Sequence, residues 1–364
     1  MHKLHYVIML VLVTLASGEL QAAKPGGGTP PPSGSACVGQ GGRFPAMAYA
    51  RAVAAPNGSY ARTQIFVANS TGTCQVMVYD SGDYSFPLSS GLSLHYDAGS
   101  ATGTLAWAQV RDNGETSRNG RGVLKVAQFH VDTGAVVGLP LTAATIYRAS
   151  TTSVSISDVA LSKDGLRVAL STEQPTTTSG VFLYQVLTCS TLTCSPVVDF
   201  ASTTDKALDL ALGRNPSNGA ERIYLTYAHQ SLAMMERFGP GWLSPTVLVS
   251  SADYPSEVNT QLYEPSVLSI GDQEDRVVLT SRQGTGAWRV DLYDVATHTL
   301  TPSIGFGYGP SWTLYPSIDL SAPNVLVNQN SGPSSASAFL EIDLDSRAEV
   351  SLPAVSGYGV DSAY

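Results

Sequence analysis

The chain has 364 residues, of which 43% are hydrophobic and only 13% are charged. That charged share is about half of the roughly 25% usual for soluble domains, which argues against long helices covered by ion pairs. The apolar content is sufficient to fill a core, which excludes a disordered protein. A formal net charge of -9 disfavours contact with phosphate backbones, so we expect no nucleic-acid partner.

Residues 1–22 have the pattern of a secretory signal peptide. Lys3 precedes an apolar run from Tyr6 to Leu15, and small residues follow, with cleavage fitting after Gly18 or after Ala22. The run is short for a membrane span of about 20 residues, and no later stretch of the sequence approaches that length. We therefore expect a periplasmic or secreted protein whose mature chain is not inserted in a membrane.

Residues 23–36 contain "KPGGGTPPPSGSA", in which Pro and Gly dominate and almost nothing can be buried. This composition is typical of a flexible or semi-extended linker. The folded domain is accordingly expected over residues 37–364.

Four cysteines in an exported chain predict disulfides. Cys189 and Cys194 flank four residues between two β-rich runs, so a bridge across that hairpin is expected. A second bridge between Cys37 and Cys74 would tie the start of the domain to the turn "NSTGTC". The spacings match no zinc pattern and no histidine is close in sequence, so we predict no metal site and no other cofactor.

One pattern recurs along the rest of the chain: an apolar strand, a polar turn and a second strand. In "ISDVALSKDGLRVALST", Val159 and Leu161 alternate with smaller residues, a turn follows at Lys163–Gly165, and Val168 and Leu170 resume the alternation. This stretch predicts a β-hairpin. A single hairpin sheet cannot bury both of its faces, which favours an assembly of several copies.

The predicted first strands of the successive units align at six positions, and each position follows the previous one by 51 to 58 residues: Ala46, Thr104, Asp158, Asp209, Pro265 and Pro316. A period near fifty, with two or more further strands in each unit, is typical of a β-propeller. The sequence therefore predicts an all-β fold with six blades of four antiparallel strands. Seven blades would result if the segment Lys206–Asn259 held extra strands.

The stretch "DVALSKDGLRVALST", followed by "GVFLYQV", resembles the repeat of TolB-like propellers, which are related in architecture to WD-type propellers. In that repeat a strand ending in Ser-x-Asp-Gly leads to a second strand. The signature is present at Ser162–Gly165 and is degraded at Gly213, Ser269 and Ser321. The resemblance implies an exported or periplasmic domain that binds other macromolecules, usually without catalysis.

Three carboxylates lie on or near the predicted innermost strands, which line the central channel: Asp158, Asp209 and Asp319. Converging carboxylates could bind a cation or supply the acid and base of a glycan hydrolase or lyase. In the other interpretation, which we favour, each caps a turn or bonds the backbone of a neighbouring blade. The motifs of zinc proteases, α/β-hydrolases and P-loop enzymes are absent from the sequence.

Six aromatic residues precede the last two predicted innermost strands: Tyr254, Tyr263, Phe306, Tyr308, Trp312 and Tyr315. Loops that enter innermost strands surround one mouth of a propeller channel, so these rings are candidates for a rim that stacks on sugars or anchors a peptide. They could equally fill the gaps between blades. We expect a non-catalytic binding module for a protein or glycan partner, and the alternative is a propeller glycan hydrolase or lyase.

Overall fold

A computed structural model gives the architecture. The residues that it describes are 37, 47–54, 61–69, 74–80, 88–95, 101–109, 121–137, 141–147, 155–162, 167–175, 182–190, 193–202, 208–227, 230–254, 260–268, 273–283, 286, 288–308, 313–318, 323–330, 337–355 and 362–363. Within these ranges, the regular elements are β-strands apart from one 3₁₀ turn at Ser251–Asp253.

Eleven strands occupy the first part of the chain: β1 (Met47–Ala54), β2 (Ala61–Ala68), β3 (Gln75–Asp80), β4 (Leu88–His95), β5 (Thr102–Gln109), β6 (Arg121–His130), β7 (Leu141–Tyr147), β8 (Ser155–Leu161), β9 (Val168–Pro175), β10 (Phe182–Ser190) and β11 (Thr193–Ser202).

The remaining strands follow in the second part: β12 (Leu208–Arg214), β13 (Glu221–Tyr227), β14 (Ser231–Phe238), β15 (Gly241–Trp242), β16 (Thr246–Ser250), β17 (Thr260–Leu268), β18 (Arg276–Gln283), β19 (Trp288–Asp294), β20 (Thr299–Tyr308), β21 (Thr313–Ile318), β22 (Asn324–Asn330), β23 (Ser337–Asp343), β24 (Glu349–Val355) and β25 (Ser362–Ala363).

These strands form six antiparallel sheets, which we number as blades in chain order. Blade 1 has the order β25-β1-β2-β3, blade 2 is β4 to β7, and blade 3 is β8 to β11. Blade 4 is β12 to β15 with β16 also paired to β14, blade 5 is β17 to β20, and blade 6 is β21 to β24. The prediction of an all-β six-bladed propeller is confirmed, and the segment proposed for a seventh blade lies within blade 4.

The ring closes in blade 1, where the two ends of the chain share a sheet. Ala48 of β1 pairs with Ala363 of β25, so the last strand of the chain takes the innermost position. Our alignment of the first two units was therefore wrong by one strand. β1, next to the anchor Ala46, and β5, which contains Thr104, are second strands of their blades. The anchors from Asp158 onward do lie on innermost strands, which start at residues 155, 208, 260 and 313.

Each junction between consecutive blades, from blade 1 to blade 6, has its own apolar cluster. Between blades 1 and 2, for example, Trp107 packs with Tyr79 at a centroid distance of 4.9 Å. Between blades 3 and 4 the cluster contains Ala160, Leu210 and Ile223. Neighbouring residues of one strand point into opposite junctions, because side chains alternate across a sheet. Among the described residues, blades 2 to 5 are thus buried on both faces, which accounts for the continuous apolar runs of their second strands.

The start of the domain is tied to blade 1. Cys37 and Cys74 form a disulfide with a Cα–Cα distance of 5.4 Å. The buried Asn69 side chain accepts a hydrogen bond from the Cys74 backbone N–H at 3.0 Å, which closes the turn between β2 and β3. In blade 3, Cys189 of β10 lies directly opposite Cys194 of β11. Their side chains lie outside the described part, so that bridge stays a prediction.

Three turns between third and fourth strands share one conformation. The fourth residue after the end of the third strand has a positive φ in each, namely 68° at Gly134, 54° at His298 and 59° at Arg347. In the turns of blades 2 and 6, the amide of this residue donates to the carbonyl of the last strand residue. Glycine adopts this conformation freely, whereas a residue with a Cβ is strained in it.

We predict that Arg347→Gly raises the free energy of unfolding by about 0.5–1 kcal/mol, because it relieves left-handed strain at an exposed turn. Gly134→Ala is the matched opposite and is expected to lower it by about 1 kcal/mol. Urea unfolding of both variants measures the two effects. Equal destabilisation by both substitutions would show that this shared turn conformation is not what governs stability here.

Candidate functional site

The two described channel carboxylates are buried and hydrogen-bonded within the fold, and Asp158 joins two blades. Asp158 lies on β8 with 7% of its surface exposed. Its Oδ1 accepts the Val159 N–H at 2.7 Å, and its Oδ2 accepts the Leu210 N–H of blade 4 at 2.7 Å. One side chain thereby joins the innermost strands of two blades, and Asp158 has the role that we favoured, bonding the backbone of a neighbouring blade.

Asp209 lies one blade further, at the start of β12, and is also buried. The Thr226 hydroxyl donates to its Oδ2 at 3.2 Å. The third candidate, Asp319, follows β21 directly and lies outside the described residues. Asp158 and Asp209 therefore lie on innermost strands as predicted, but with buried, hydrogen-bonded carboxylates.

A buried carboxylate outside the predicted channel set joins blades 4 and 5. Asp275 is fully buried, and its Oδ2 accepts the Tyr224 hydroxyl at 2.7 Å and the Arg214 N–H at 3.1 Å. A Cβ placed on Gly213 would lie 2.4 Å from that same Oδ2. Only glycine at this position allows the strand and the carboxylate to approach so closely.

Three arginines at the starts of second strands reach acidic residues of the next blade. Arg167 of blade 3 donates to Glu221 at 2.6 Å. Arg222 of blade 4 pairs with Glu274, and Arg276 of blade 5 donates to Asp345 at 2.8 Å. The pairs repeat in three successive blades, at the end of the propeller where first and second strands are joined.

Arg222 is the most enclosed of these arginines. Burial acts to lower its pKa, but hydrogen bonds to Glu274 and Glu236 raise the pKa above its ordinary value, so the guanidinium stays charged. Burial likewise opposes charge on Glu236, yet bonds from Asn215, Arg222 and Asn218 hold the pKa of its carboxyl below the usual range.

Sequence reasoning missed this system of arginines. A local signal was present, because each arginine opens a second strand with a similar pattern: "RVALST", "RIYLTY" and "RVVLTS". Their acidic partners are separated from them by 52 to 69 residues and share no motif. A repeat alignment could have found the arginines but not what they bind.

Tyr254 packs in the interior, which corrects its assignment to the rim. Only 3% of its surface is exposed, and its ring belongs to the apolar cluster between blades 4 and 5. Its hydroxyl donates to the buried Asp291 carboxylate at 2.7 Å. The guanidinium of Arg289 lies 5.8 Å from the ring centroid. Tyr254 is thus unavailable to a ligand.

Tyr263 is the rim candidate whose side chain reaches the surface within the described part. It lies on β17, the innermost strand of blade 5, and its hydroxyl donates to the exposed Gln261 side chain at 2.8 Å. Its ring contacts Trp288 at a centroid distance of 4.9 Å, and Arg282 lies 5.3 Å from the Trp288 ring centroid. Burial raises the pKa of Tyr263, and the nearby Arg282 opposes that rise.

The remaining rim candidates are placed by their backbones. Phe306 and Tyr308 lie on β20, the fourth strand of blade 5, instead of in the loop that follows it. Tyr308 is paired with Trp288 in the sheet, so the end of this outermost strand lies at the same end of the propeller as Tyr263. Tyr315 lies on β21, the innermost strand of blade 6, and Trp312 lies outside the described residues.

Among the residues that the structure describes, no group of three or more His, Cys, Asp or Glu side chains could hold a metal ion. In the same part of the chain, no helix is long and apolar enough to cross a membrane.

Neither a protein-family model nor a curated protein matches the sequence. Solved structures match in fold. TolB from Acinetobacter baumannii superposes with a TM-score of 0.54 at 13% identity, over 88% of this chain and 67% of TolB. The six-bladed fucose-recognising lectin of Aleuria aurantia gives 0.46 at 9% identity, over 87% of this chain and 98% of the lectin.

A prolyl endopeptidase gives a TM-score of 0.48 at 10% identity, and this chain spans 50% of that enzyme's length. At 13% identity the TolB match supports the fold and not a function. The protein is a six-bladed β-propeller with distant structural similarity to TolB.

We predict that Tyr254→Phe lowers the free energy of unfolding at neutral pH by about 1.5–3 kcal/mol, because a buried carboxylate loses a hydrogen-bond donor. Burial and the neighbouring Asp291 raise the pKa of Tyr254 above its ordinary value near 10. The hydrogen bond of Tyr254 therefore contributes fully to the free energy of unfolding below about pH 10, and this contribution declines as the pH rises further.

Urea unfolding at a series of alkaline pH values should accordingly show a smaller loss of stability in Tyr254→Phe than in the wild type. A double-mutant cycle with Asp291→Asn isolates the pair. Two results together would show that the two side chains are not coupled. The losses in free energy of unfolding from the two substitutions would add, and wild type and Tyr254→Phe would lose stability equally with rising pH.

Proposed function

We propose that this propeller is a non-catalytic binding module that engages a protein or glycan partner at the channel mouth where the innermost strands begin. The observation that carries the proposal is the state of Asp158 and Asp209, which are buried and hydrogen-bonded within the fold. A glycosidase needs two carboxyl groups that face the substrate, about 5 to 10 Å apart. The described channel carboxylates do not offer such a pair.

The aromatic character of the same mouth supports binding. Tyr263, backed by Trp288 and flanked by Arg282 and the exposed Gln261, combines a ring face with polar groups at its edge. This combination suits a sugar ring or an aromatic or proline-containing peptide segment, because one side chain supplies apolar area and its neighbours supply hydrogen bonds. Tyr308, at the end of the outermost strand of blade 5, and Tyr315, near the start of the innermost strand of blade 6, lie at the same end of the propeller.

We also propose that the protein acts in the periplasm or outside the cell. The Lys3-initiated apolar segment supports this location, as does the disulfide between Cys37 and Cys74, since such bonds persist in oxidising compartments.

We predict that the double variant Trp312→Ala and Tyr315→Ala weakens partner capture by at least about tenfold, while its melting temperature stays close to that of the wild type. Capture is measured on a glycan array and with proteins of the cell envelope or medium. Val350→Ser, a change at an exposed apolar position of blade 6, is the matched control and should bind normally.

Undiminished capture by the double variant would refute a binding site at this mouth. Cleavage of an array glycan by the wild type, lost in Asp158→Asn or Asp209→Asn variants that still fold, would instead establish the hydrolase or lyase alternative.

A further inference from the structure

Four side chains share one face of blade 5 at the proposed binding mouth. Gln261 of β17 lies directly opposite Arg282 of β18, and Arg282 lies directly opposite Trp288 of β19. Residues opposite each other in an antiparallel pair lie on the same face of the sheet, and Tyr263, two residues after Gln261, shares that face. The face is directed toward blade 6, because Trp288 is part of the apolar cluster between the two blades and Tyr263 packs against it. We call these four residues the blade-5 cluster.

The blade-5 cluster supports its arginine from below. The guanidinium of Arg282 lies 5.3 Å from the Trp288 ring centroid, and its Nε donates to the Gly286 carbonyl at 3.2 Å. Trp288 is only 7% exposed, so it forms a firm base for Arg282 and for Tyr263, whose ring centroid is 4.9 Å away. A guanidinium that is stacked on a ring and hydrogen-bonded at Nε loses little freedom when it binds an anion.

The polar groups beside the Tyr263 ring present hydrogen-bond donors. The Tyr263 hydroxyl donates to Gln261 Oε1 at 2.8 Å, so the amide nitrogen of Gln261 is directed away from the tyrosine. A guanidinium has donors only, and it is always positively charged. Because Gln261 and Arg282 are neighbours across the two strands, this edge of the ring offers N–H groups to the oxygen atoms of a ligand.

The charge that a ligand at this ring can contact is positive. Burial raises the pKa of Tyr263, the guanidinium of Arg282 lowers it, and the carboxylate of Asp209 raises it, so both charges act on the phenol. Asp209 is buried in blade 4 and accepts a hydrogen bond from Thr226. Arg282 is half-buried at the mouth, and of these two charges it is the one within reach of a ligand.

We propose that the blade-5 cluster binds an acidic sugar, namely a uronic acid residue of a glycan, with its carboxylate on Arg282. This inference rests on the proposed binding function and names the class of partner. One C–H face of the sugar lies on the Tyr263 ring, and the carboxylate accepts charge-assisted hydrogen bonds from Arg282. A sugar hydroxyl oxygen accepts from the Gln261 amide.

A single uronic acid residue meets all of these requirements. Its six-membered ring carries an apolar face and a carboxylate at a fixed separation, so little conformational entropy is lost on binding. An acidic peptide would need one residue for Tyr263 and a second, with a carboxylate, for Arg282. It would have to order both side chains and the backbone between them, which favours the sugar.

The net charge of -9 does not oppose contact at this position. Repulsion of an anion by distant surface charges is screened beyond about 8 Å at physiological ionic strength. Contact with Arg282 takes place within that distance. The overall charge therefore slows the encounter at low salt, while the local cation determines the affinity once the sugar is bound.

The test is a glycan array on which each uronate-bearing glycan is printed beside its carboxyl-reduced, neutral counterpart. We expect the full-length chain to bind the acidic member of a pair at least about tenfold more tightly. Arg282→Gln should abolish that preference. Arg282→Lys, which keeps the charge but loses the planar fork, should retain part of it.

Arg276→Gln is the matched control. It lies on the same strand and changes the net charge equally, but it is at the opposite end of the propeller, so it should bind as the wild type does. Urea unfolding checks that all three variants remain folded.

Equal binding of the acidic and neutral members of each pair, unchanged in Arg282→Gln, would overturn this inference and leave the binding function intact. Equal weakening by Arg276→Gln would also overturn it, because net charge alone would then explain the effect. Capture of a polyglutamate peptide through Arg282, without capture of uronates, would replace the sugar by an acidic peptide. A wild-type chain that captures neither glycans nor proteins would refute the binding function itself, and this inference with it.

Discussion

The constraint on which this structure depends is that a blade is apolar on both faces, as the described residues of blades 2 to 5 show. A four-stranded sheet of this kind cannot bury its side chains by itself, since alternate residues of the same strand point in opposite directions. Each blade therefore needs a neighbour on either side, and a closed ring satisfies every blade at once. The apolar clusters at successive junctions, such as the one that holds Trp107 and Tyr79, are where this requirement is met.

Apolar contacts alone do not fix the relative position of neighbouring blades, and polar groups do so. Asp158 bonds the backbone of the next innermost strand, and Asp275, one junction later, bonds the backbone of the preceding one. The arginine pairs act further out, at the second strands. Buried charges are weak as net stabilisers but expensive to leave without a partner, so they select one arrangement of the blades over others. This structural use of the channel carboxylates is what favours binding over hydrolysis as the function.

The fold could be predicted from the sequence because its signals are local. Hairpins such as Ile156–Thr172 show apolar alternation and a turn, and their repetition at a period near fifty predicts a ring of blades. Which strand is innermost in the first two units could not be predicted. It depends on the pairing of Ala48 with Ala363, which are separated by nearly the whole chain. The candidate site was predicted only in part. The positions of Asp158 and Tyr254 on or before an innermost strand were predicted correctly. Their hydrogen-bond partners, Leu210 and Asp291, come from other strands, so the burial of both side chains could not be predicted.

The most direct test of the closed ring is removal of the strand that closes it. A chain that ends at residue 359 lacks β25 and leaves blade 1 without its innermost strand. Because every blade depends on its neighbours, equilibrium unfolding in urea should show the free energy of unfolding of the whole domain lowered by more than about 2 kcal/mol. Hydrogen exchange should then be faster in blades 2 and 6 as well as in blade 1. An unchanged unfolding midpoint, with faster exchange confined to β1, would contradict the account.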